Sequence, residues 1–123
     1  MKFNNICPAC NNDVFTHDST LVEITVYSCV KCKCKIHVNG ITNEIGAYFF
    51  DTVYRNISYE MCFYFKDYRI GNRRAGSFVI EYCDIADDGR IRYQWKKVLE
   101  LSFHPNINIH NINTKLPVIL AFL

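Results

Sequence analysis

Two short cysteine pairs, Cys7-Pro8-Ala9-Cys10 and Cys29-Val30-Lys31-Cys32, restrict the folds open to this chain more than any other feature of its sequence. A C-x2-C turn curls two sulfurs to one side, and two such turns supply the four soft ligands of a tetrahedral metal site with metal–sulfur bonds of roughly 2.3 Å. The site closes only if the intervening segment brings the second pair back beside the first. Asn12 to His17 followed by Thr20 to Ser28 reads as a hairpin that does this. In its second arm Val22, Ile24 and Val26 alternate with Glu23, Thr25 and Tyr27, a β-branched period of two that marks a strand running into Cys29.

The chain has seven cysteines and opens Met1-Lys2-Phe3-Asn4-Asn5-Ile6, without the apolar run of a secretory signal. A reducing, cytoplasmic setting is therefore expected, where paired cysteines at this spacing serve as ligands rather than disulfides. Cys7, Cys10, Cys29 and Cys32 are the candidate ligands of one structural zinc ion, with iron in a rubredoxin-like site as the nearest rival. Cys34 offers an alternative in which it replaces Cys29 or Cys32, although the spacing favours the C-x2-C pair. Cys62 and Cys83 sit in apolar strand patterns and read as buried thiols. Pro8 presets the first turn, and Asn11 can adopt the left-handed conformation that such turns often give to glycine.

Past the second pair, Cys34, Ile36 and Val38 alternate with Lys35, His37 and Asn39, and Asn39-Gly40 signals a two-residue turn. Ile41 to Ile45 would return as the third strand of a module ending at Gly46. From Ala47 the sequence turns aromatic. Ala47 to Arg55 and Ser58 to Tyr68 read as strands. In the second of these, Met61, Phe63 and Phe65 share one face, and Glu60, Tyr64, Lys66 and Tyr68 the other. Phe78 to Cys83 and a returning strand bearing Ile91, Tyr93, Trp95, Leu99, Leu101 and Phe103 follow. Lys97 interrupts that last apolar face, so a bulge or bend is expected near Lys96 and Lys97. The segment from His104 to Asn113 suits a strand or an extended strap. The apolar terminus suits a short helix capped by Asn113 or Thr114, with Pro117 in its first turn, or a buried strand; the helix is favoured. The fold class is mainly β: an N-terminal metal module over residues 1–46 and an antiparallel sheet over 47–123.

The formal charge of +2 is too small to mark a polyanion-wrapping protein by itself, and no stretch approaches the roughly 20 apolar residues that span a bilayer. Three basic clusters nevertheless stand out: Lys31, Lys33 and Lys35; Lys66, Arg69, Arg73 and Arg74; and Arg90, Arg92, Lys96 and Lys97. Interleaved with Tyr68, Tyr93 and Trp95 they could pair phosphates and stack bases. The first cluster also lies where it offsets the negative charge of four thiolates, and alternation places Tyr93 and Trp95 toward the core rather than beside the cations. His17, His37, His104 and His110 have no nucleophile at a recognisable spacing, and no phosphate loop or metalloprotease motif occurs. Asp84, Asp87 and Asp88 read as turn chemistry. Nothing in the sequence points to a small-molecule substrate, and a closed four-thiolate site leaves no position for a catalytic water.

Over about residues 4–45 the two cysteine turns resemble those of the zinc-ribbon group, found in transcription factors, polymerase subunits, ribosomal proteins and small viral proteins. The resemblance implies the metal and the ribbon, not a task, and the chain departs from the group in lacking glycine after Cys10 and after Cys32. The whole layout is similar to small bacteriophage proteins that join such a ribbon to an aromatic, Asn- and Ile-rich sheet. This second likeness implies a viral origin, hence a host cytoplasm or virion, and no activity. The function expected is that of a non-catalytic zinc-binding module held by a protein partner in a larger complex, with nucleic-acid binding through the basic clusters as the alternative.

Overall fold

The computed structural model describes residues 1–21, 23–65, 76–84 and 95–121. Among these, seven strands form one antiparallel sheet in sequence order: β1 (Phe15–Leu21), β2 (Ile24–Cys29), β3 (Lys35–Asn39), β4 (Ile45–Tyr54), β5 (Ile57–Tyr64), β6 (Phe78–Asp84) and β7 (Lys96–Leu101). A single helix, α1 (Ile112–Ala121), follows among the described residues. Each strand pairs with the next one in sequence, and the mainly β expectation holds.

Ile41 to Glu44 do not form the expected third strand. They belong to the β3–β4 loop, closed by Asn39 N to Glu44 O at 2.8 Å and Asn43 N to Asn39 O at 2.8 Å. The Asn39-Gly40 pair therefore makes no two-residue turn. Asn39 instead uses its side-chain oxygen to hold the amides of Ile41 and Thr42, and Asn43 takes the left-handed position at φ 61°. Gly46 is the second residue of β4, and the sheet runs through it, because β3 pairs directly with β4 from Lys35↔Phe49 to Val38↔Ile45. A two-residue hairpin lies one strand later. Tyr54 faces Ile57 across Arg55 and Asn56, whose φ values of 51° and 60° are those of a type I′ turn. That turn has no glycine to announce it. The Arg55 guanidinium lies over the Tyr54 ring at 5.1 Å.

One face of the sheet carries the main core. Ile36, Phe50, Met61, Phe63, Phe78 and Ile80 are at most 1% exposed, and their alternation along β3 to β6 is the reason these segments became strands. Aromatic contacts join the strands: the Phe63 ring stacks on Tyr48 at 4.5 Å and tilts against Phe78 at 4.8 Å. The other face is buried at its centre by a smaller cluster of Ala47, Cys62, Tyr64 and Val79. Tyr64, grouped by alternation with Glu60 on the second face, does lie there, at 2% exposure.

Both outer strands of the described sheet bear an irregularity in register, at His17/Ser19 in β1 and at Ile80/Glu81 opposite β7. In β7 this is the bulge that Lys97 demanded. Ile80 pairs with Leu99 and Glu81 with Lys97, so Val98 is the extra residue, and the odd positions before it change sides. Lys97 thereby leaves the apolar face, and Trp95, expected in the core, stands 38% exposed. Phe103 is likewise 60% exposed beyond the end of the strand. Tyr93, Ile91, Lys66 and Tyr68 lie outside the described residues.

Residues 104–111 form the strap alternative. His104 Nε2 meets the Tyr64 carbonyl at 2.8 Å, and Ile107 is buried on the main core. The Asn111 carbonyl accepts the first helical bond from Lys115 N at 3.0 Å, so α1 starts earlier than Asn113 or Thr114 would place it, and Pro117 falls in the second turn instead of the first. Ile112 and Leu116 are the buried residues of this helix, on the core shared with Phe3, Cys7, Ala9 and Cys10. No helix among the described residues is long and apolar enough to cross a membrane.

Candidate metal centre

The two cysteine turns are built to the same plan. In the first, Cys7 N donates to Asn12 O at 2.7 Å and Asn11 N to Cys7 O at 2.9 Å; in the second, Cys29 N donates to Cys34 O at 2.9 Å and Lys33 N to Cys29 O at 3.0 Å. The residue after the second cysteine is left-handed in both, Asn11 at φ 65° and Lys33 at φ 64°. This is the conformation that glycine would adopt without strain, reached here by an asparagine and a lysine.

The β1–β2 hairpin brings the turns together. Phe15 pairs with Cys29, and Val30 N donates to Val14 O at 3.1 Å, which seats the second turn against the chain leaving the first. The Sγ atoms of Cys7, Cys10, Cys29 and Cys32 all lie within 4.8 Å of one another. Across the two turns, Cys7 Sγ is 3.6 Å from Cys32 Sγ and Cys10 Sγ is 3.5 Å from Cys29 Sγ. A tetrahedron with bonds of 2.3 Å has an edge of about 3.8 Å, so the four sulfurs fit a metal of that bond length with little adjustment. All seven cysteines are free thiols, and this quartet is the group among the described residues placed to share an ion.

The turns also supply what thiolates need. Amides of Ala9 and Cys10 face the Cys7 sulfur, that of Asn12 faces Cys10 and that of Cys34 faces Cys32. The Asn12 side-chain amide donates to Cys29 Sγ at 3.7 Å. Cys7 and Cys29 are fully buried, Cys10 is 7% exposed and Cys32 is partly open to solvent. The Cys7 and Cys32 thiols are held below their ordinary range, first by the Cys34 thiol and then by backbone amides working against burial. Burial, as the leading cause, pushes Cys10 up to about 12. Cys34 is fully buried, and the Cys32 and Cys7 thiols first, with burial after them, drive its pKa upward. Cys34 lies outside the quartet whose sulfurs are within 4.8 Å of one another.

The lysines of the second turn are dispersed. Lys31 is exposed, Lys33 Nζ donates to Val30 O at 3.2 Å, and Lys35 Nζ pairs with Asp18 at 2.7 Å. With Ser28 as a second donor, Lys35 holds the solvent-facing Asp18 carboxyl down at about 2. Lys96 and Lys97 lie exposed on β7, with Lys97 paired to Glu100 at 2.9 Å. Arg69, Arg73, Arg74, Arg90 and Arg92 lie outside the described residues. Cys62 and Cys83 are buried at 0% and 1% exposure, as their apolar strand context implies.

One feature of the sheet escaped the sequence. Asp51 faces Glu60, and Glu60 faces Glu81, in a carboxylate row across β4, β5 and β6. Burial, and after it the Asp51 charge, raises Glu60 to about 7, while the Cys62 thiol donates to Glu60 Oε1 at 3.4 Å. Asp51 is raised as well, burial leading. The three residues are far apart in the chain, and only the strand register aligns them. Beside the first turn a cavity of about 330 Å³ opens between Lys2, Asn4, Ile6, Cys7, Asn11 and Tyr48. No family model matches this chain, and neither a curated protein nor a solved structure is significantly similar to it.

Proposed function

We propose that this chain is a non-catalytic, zinc-stapled β protein that works as a binding or assembly module in a larger complex. The observation that carries the reading is the quartet of sulfurs at tetrahedral spacing, in two turns of identical hydrogen-bonding plan. Cys7, Cys10, Cys29 and Cys32 hold one zinc ion, for which a closed, largely buried four-thiolate set is suited; it offers no open position for chemistry. Metal binding in such modules supplies about 10 kcal/mol or more of folding free energy, enough to hold a turn-rich segment with little apolar core of its own. The setting is reducing, as thiolate ligands require. A protein partner is supported by Val14 and Val30, adjacent at the metal end and 53% and 40% exposed. The compositional likeness to bacteriophage proteins extends the proposal to a component of a viral assembly.

The test is elemental analysis of the purified chain, followed by removal of the metal with a strong chelator. About one zinc per chain, and loss of protease resistance around residues 1–46 on chelation, are expected. A protein that binds no zinc, or whose far-ultraviolet spectrum and proteolysis do not change on metal removal, overturns the reading. Nucleic-acid binding through the basic clusters is distinguished by its salt dependence: affinity for DNA or RNA that falls steeply with salt supports it, and a flat response removes it.

A further inference from the structure

Among the described residues no sealed side-chain nitrogen or oxygen lacks a hydrogen-bond partner. Tyr48 is 9% exposed, and its hydroxyl bonds to none of these residues, so that oxygen faces an opening rather than packed atoms. The opening is the cavity of about 330 Å³ beside the first cysteine turn, which Tyr48 lines. Its ring is fixed by stacking on Phe63 at 4.5 Å, with Phe65 tilted against it at 5.9 Å, so the ring edge and hydroxyl are what remain to face the cavity. The floor of the cavity is buried, with Ile45 at 4% and Cys7 at 0% exposure; its mouth is exposed and carries Asn4 and Asn11. Asn4 Oδ1 accepts from Ile6 N at 3.2 Å, which leaves its amide protons free, and the Asn11 carboxamide has no partner among the described residues. Lys2 is the one charged side chain in the lining, and it lies exposed at the mouth with its ammonium donating to Thr42 O at 3.3 Å. No carboxylate side chain lines the cavity.

Resting on the binding-module reading above, we propose that this cavity receives an uncharged, glutamine-type side chain from a segment of the protein partner. The side-chain carbonyl accepts from the Tyr48 hydroxyl, the methylene stem lies among Ile6, Pro8 and Ile45, and the partner's main-chain amides pair with the Asn4 and Asn11 carboxamides at the mouth. A carboxamide end is favoured over a carboxylate or an ammonium, because a charge carried to the floor would lose its water with no opposite charge to replace it. It is favoured over a purely apolar end, which would strip the hydroxyl of water and give it no acceptor. The carboxamides at the mouth donate and accept, as a peptide main chain does, and the open mouth suits a side chain inserted from a chain that stays outside. A volume of about 330 Å³ lies at the small end of ligand pockets and leaves room for a water on the glutamine amide protons.

Proton–nitrogen amide spectra of the full chain, titrated with N-acetyl-glutamine amide and with its methionine and glutamate analogues, test this. The glutamine probe should give saturable shifts centred on residues 4–11 and 45–48, and the glutamate probe should bind about tenfold or more weakly. Tyr48→Phe keeps the stacked ring and removes the hydroxyl. It should weaken the glutamine probe by about 2–10-fold, the range of one neutral hydrogen bond, and leave the methionine probe, which has no side-chain carbonyl, unchanged. Equal loss for both probes would mark a packing effect and overturn the inference, as would glutamate binding as tightly as glutamine, or no saturable shift at the cavity. Capped Ala-Gln-Ala should bind at least as tightly as the single-residue probe; binding of the latter alone overturns the partner segment in favour of a free amide. Zinc content of the same sample keeps the two readings apart: with zinc bound and no shifts this inference fails alone, and without zinc the reading above fails whichever way the titration goes.

Discussion

Lys33 carries a backbone cost set by its left-handed conformation. At φ 64° a residue with a Cβ loses about 1 kcal/mol relative to glycine, and asparagine, as at position 11, loses less. Lys33→Gly is therefore expected to raise stability by about 0.5–1 kcal/mol, after the larger unfolded-state entropy of glycine is counted. Lys33→Val, β-branched, should lower it by about 1–3 kcal/mol. Denaturant midpoints measure both. Glu60 carries a cost of another kind. Its folded pKa, about 7, lies above the ordinary 4.5, so the folded state holds the proton more tightly than the unfolded chain does. Stability is therefore undiminished below about pH 4.5 and falls as pH rises through 7. Glu60→Gln keeps an oxygen to accept the Cys62 thiol and removes the charge. It should stabilise the protein by about 1–3 kcal/mol at pH 8 and by nothing measurable at pH 4, in unfolding curves compared at the two pH values.

Among the elements, β5 is the one the sheet is packed around. Its register joins Asp51 to Glu60 on one side and Glu60 to Glu81 on the other, and its odd positions fill the main core. Phe63 touches Tyr48 and Phe50 in β4, Phe78 in β6 and His104 in the strap, so truncation there removes contacts to three segments at once. Phe63→Ala is expected to cost about 3–5 kcal/mol, read from the shift of the unfolding midpoint, whereas truncation of the exposed Val53 should be close to neutral. The period of two made these strands legible before any coordinates. The bulge at Val98 was legible for the same reason, since Lys97 broke an apolar face that could be repaired only by one extra residue. The Arg55–Asn56 turn was not, because its left-handed residues have ordinary side chains, whereas Asn39-Gly40 advertised a turn that the longer Gly40–Glu44 loop supplanted.

At the scale of the molecule, the metal centre is not set apart from the rest. Ile109 N donates to Ala9 O at 3.2 Å, and Cys7, Ala9 and Cys10 share a core with Ile107, Ile112 and Leu116. The C-terminal strap and helix therefore rest on the first cysteine turn. Chelation is expected to raise amide hydrogen exchange across residues 107–121 as well as across the two turns, while the centre of the sheet, β4 to β6, keeps its protection. Exchange confined to the turns would show that the strap is held by the sheet alone.

What the sequence determined by itself was local: alternation put the strands in place, and the paired cysteines, with two residues between them in each pair, identified the candidate ligands. Both depend on interactions a few residues long, or on a hairpin whose arms are adjacent in the chain. The tertiary structure alone decided which distant groups became neighbours. It laid the terminal strap over the first turn and aligned Asp51, Glu60 and Glu81. The physical reason is that strand register and core packing are settled by burial summed over the whole sheet, and no short window of residues carries that sum.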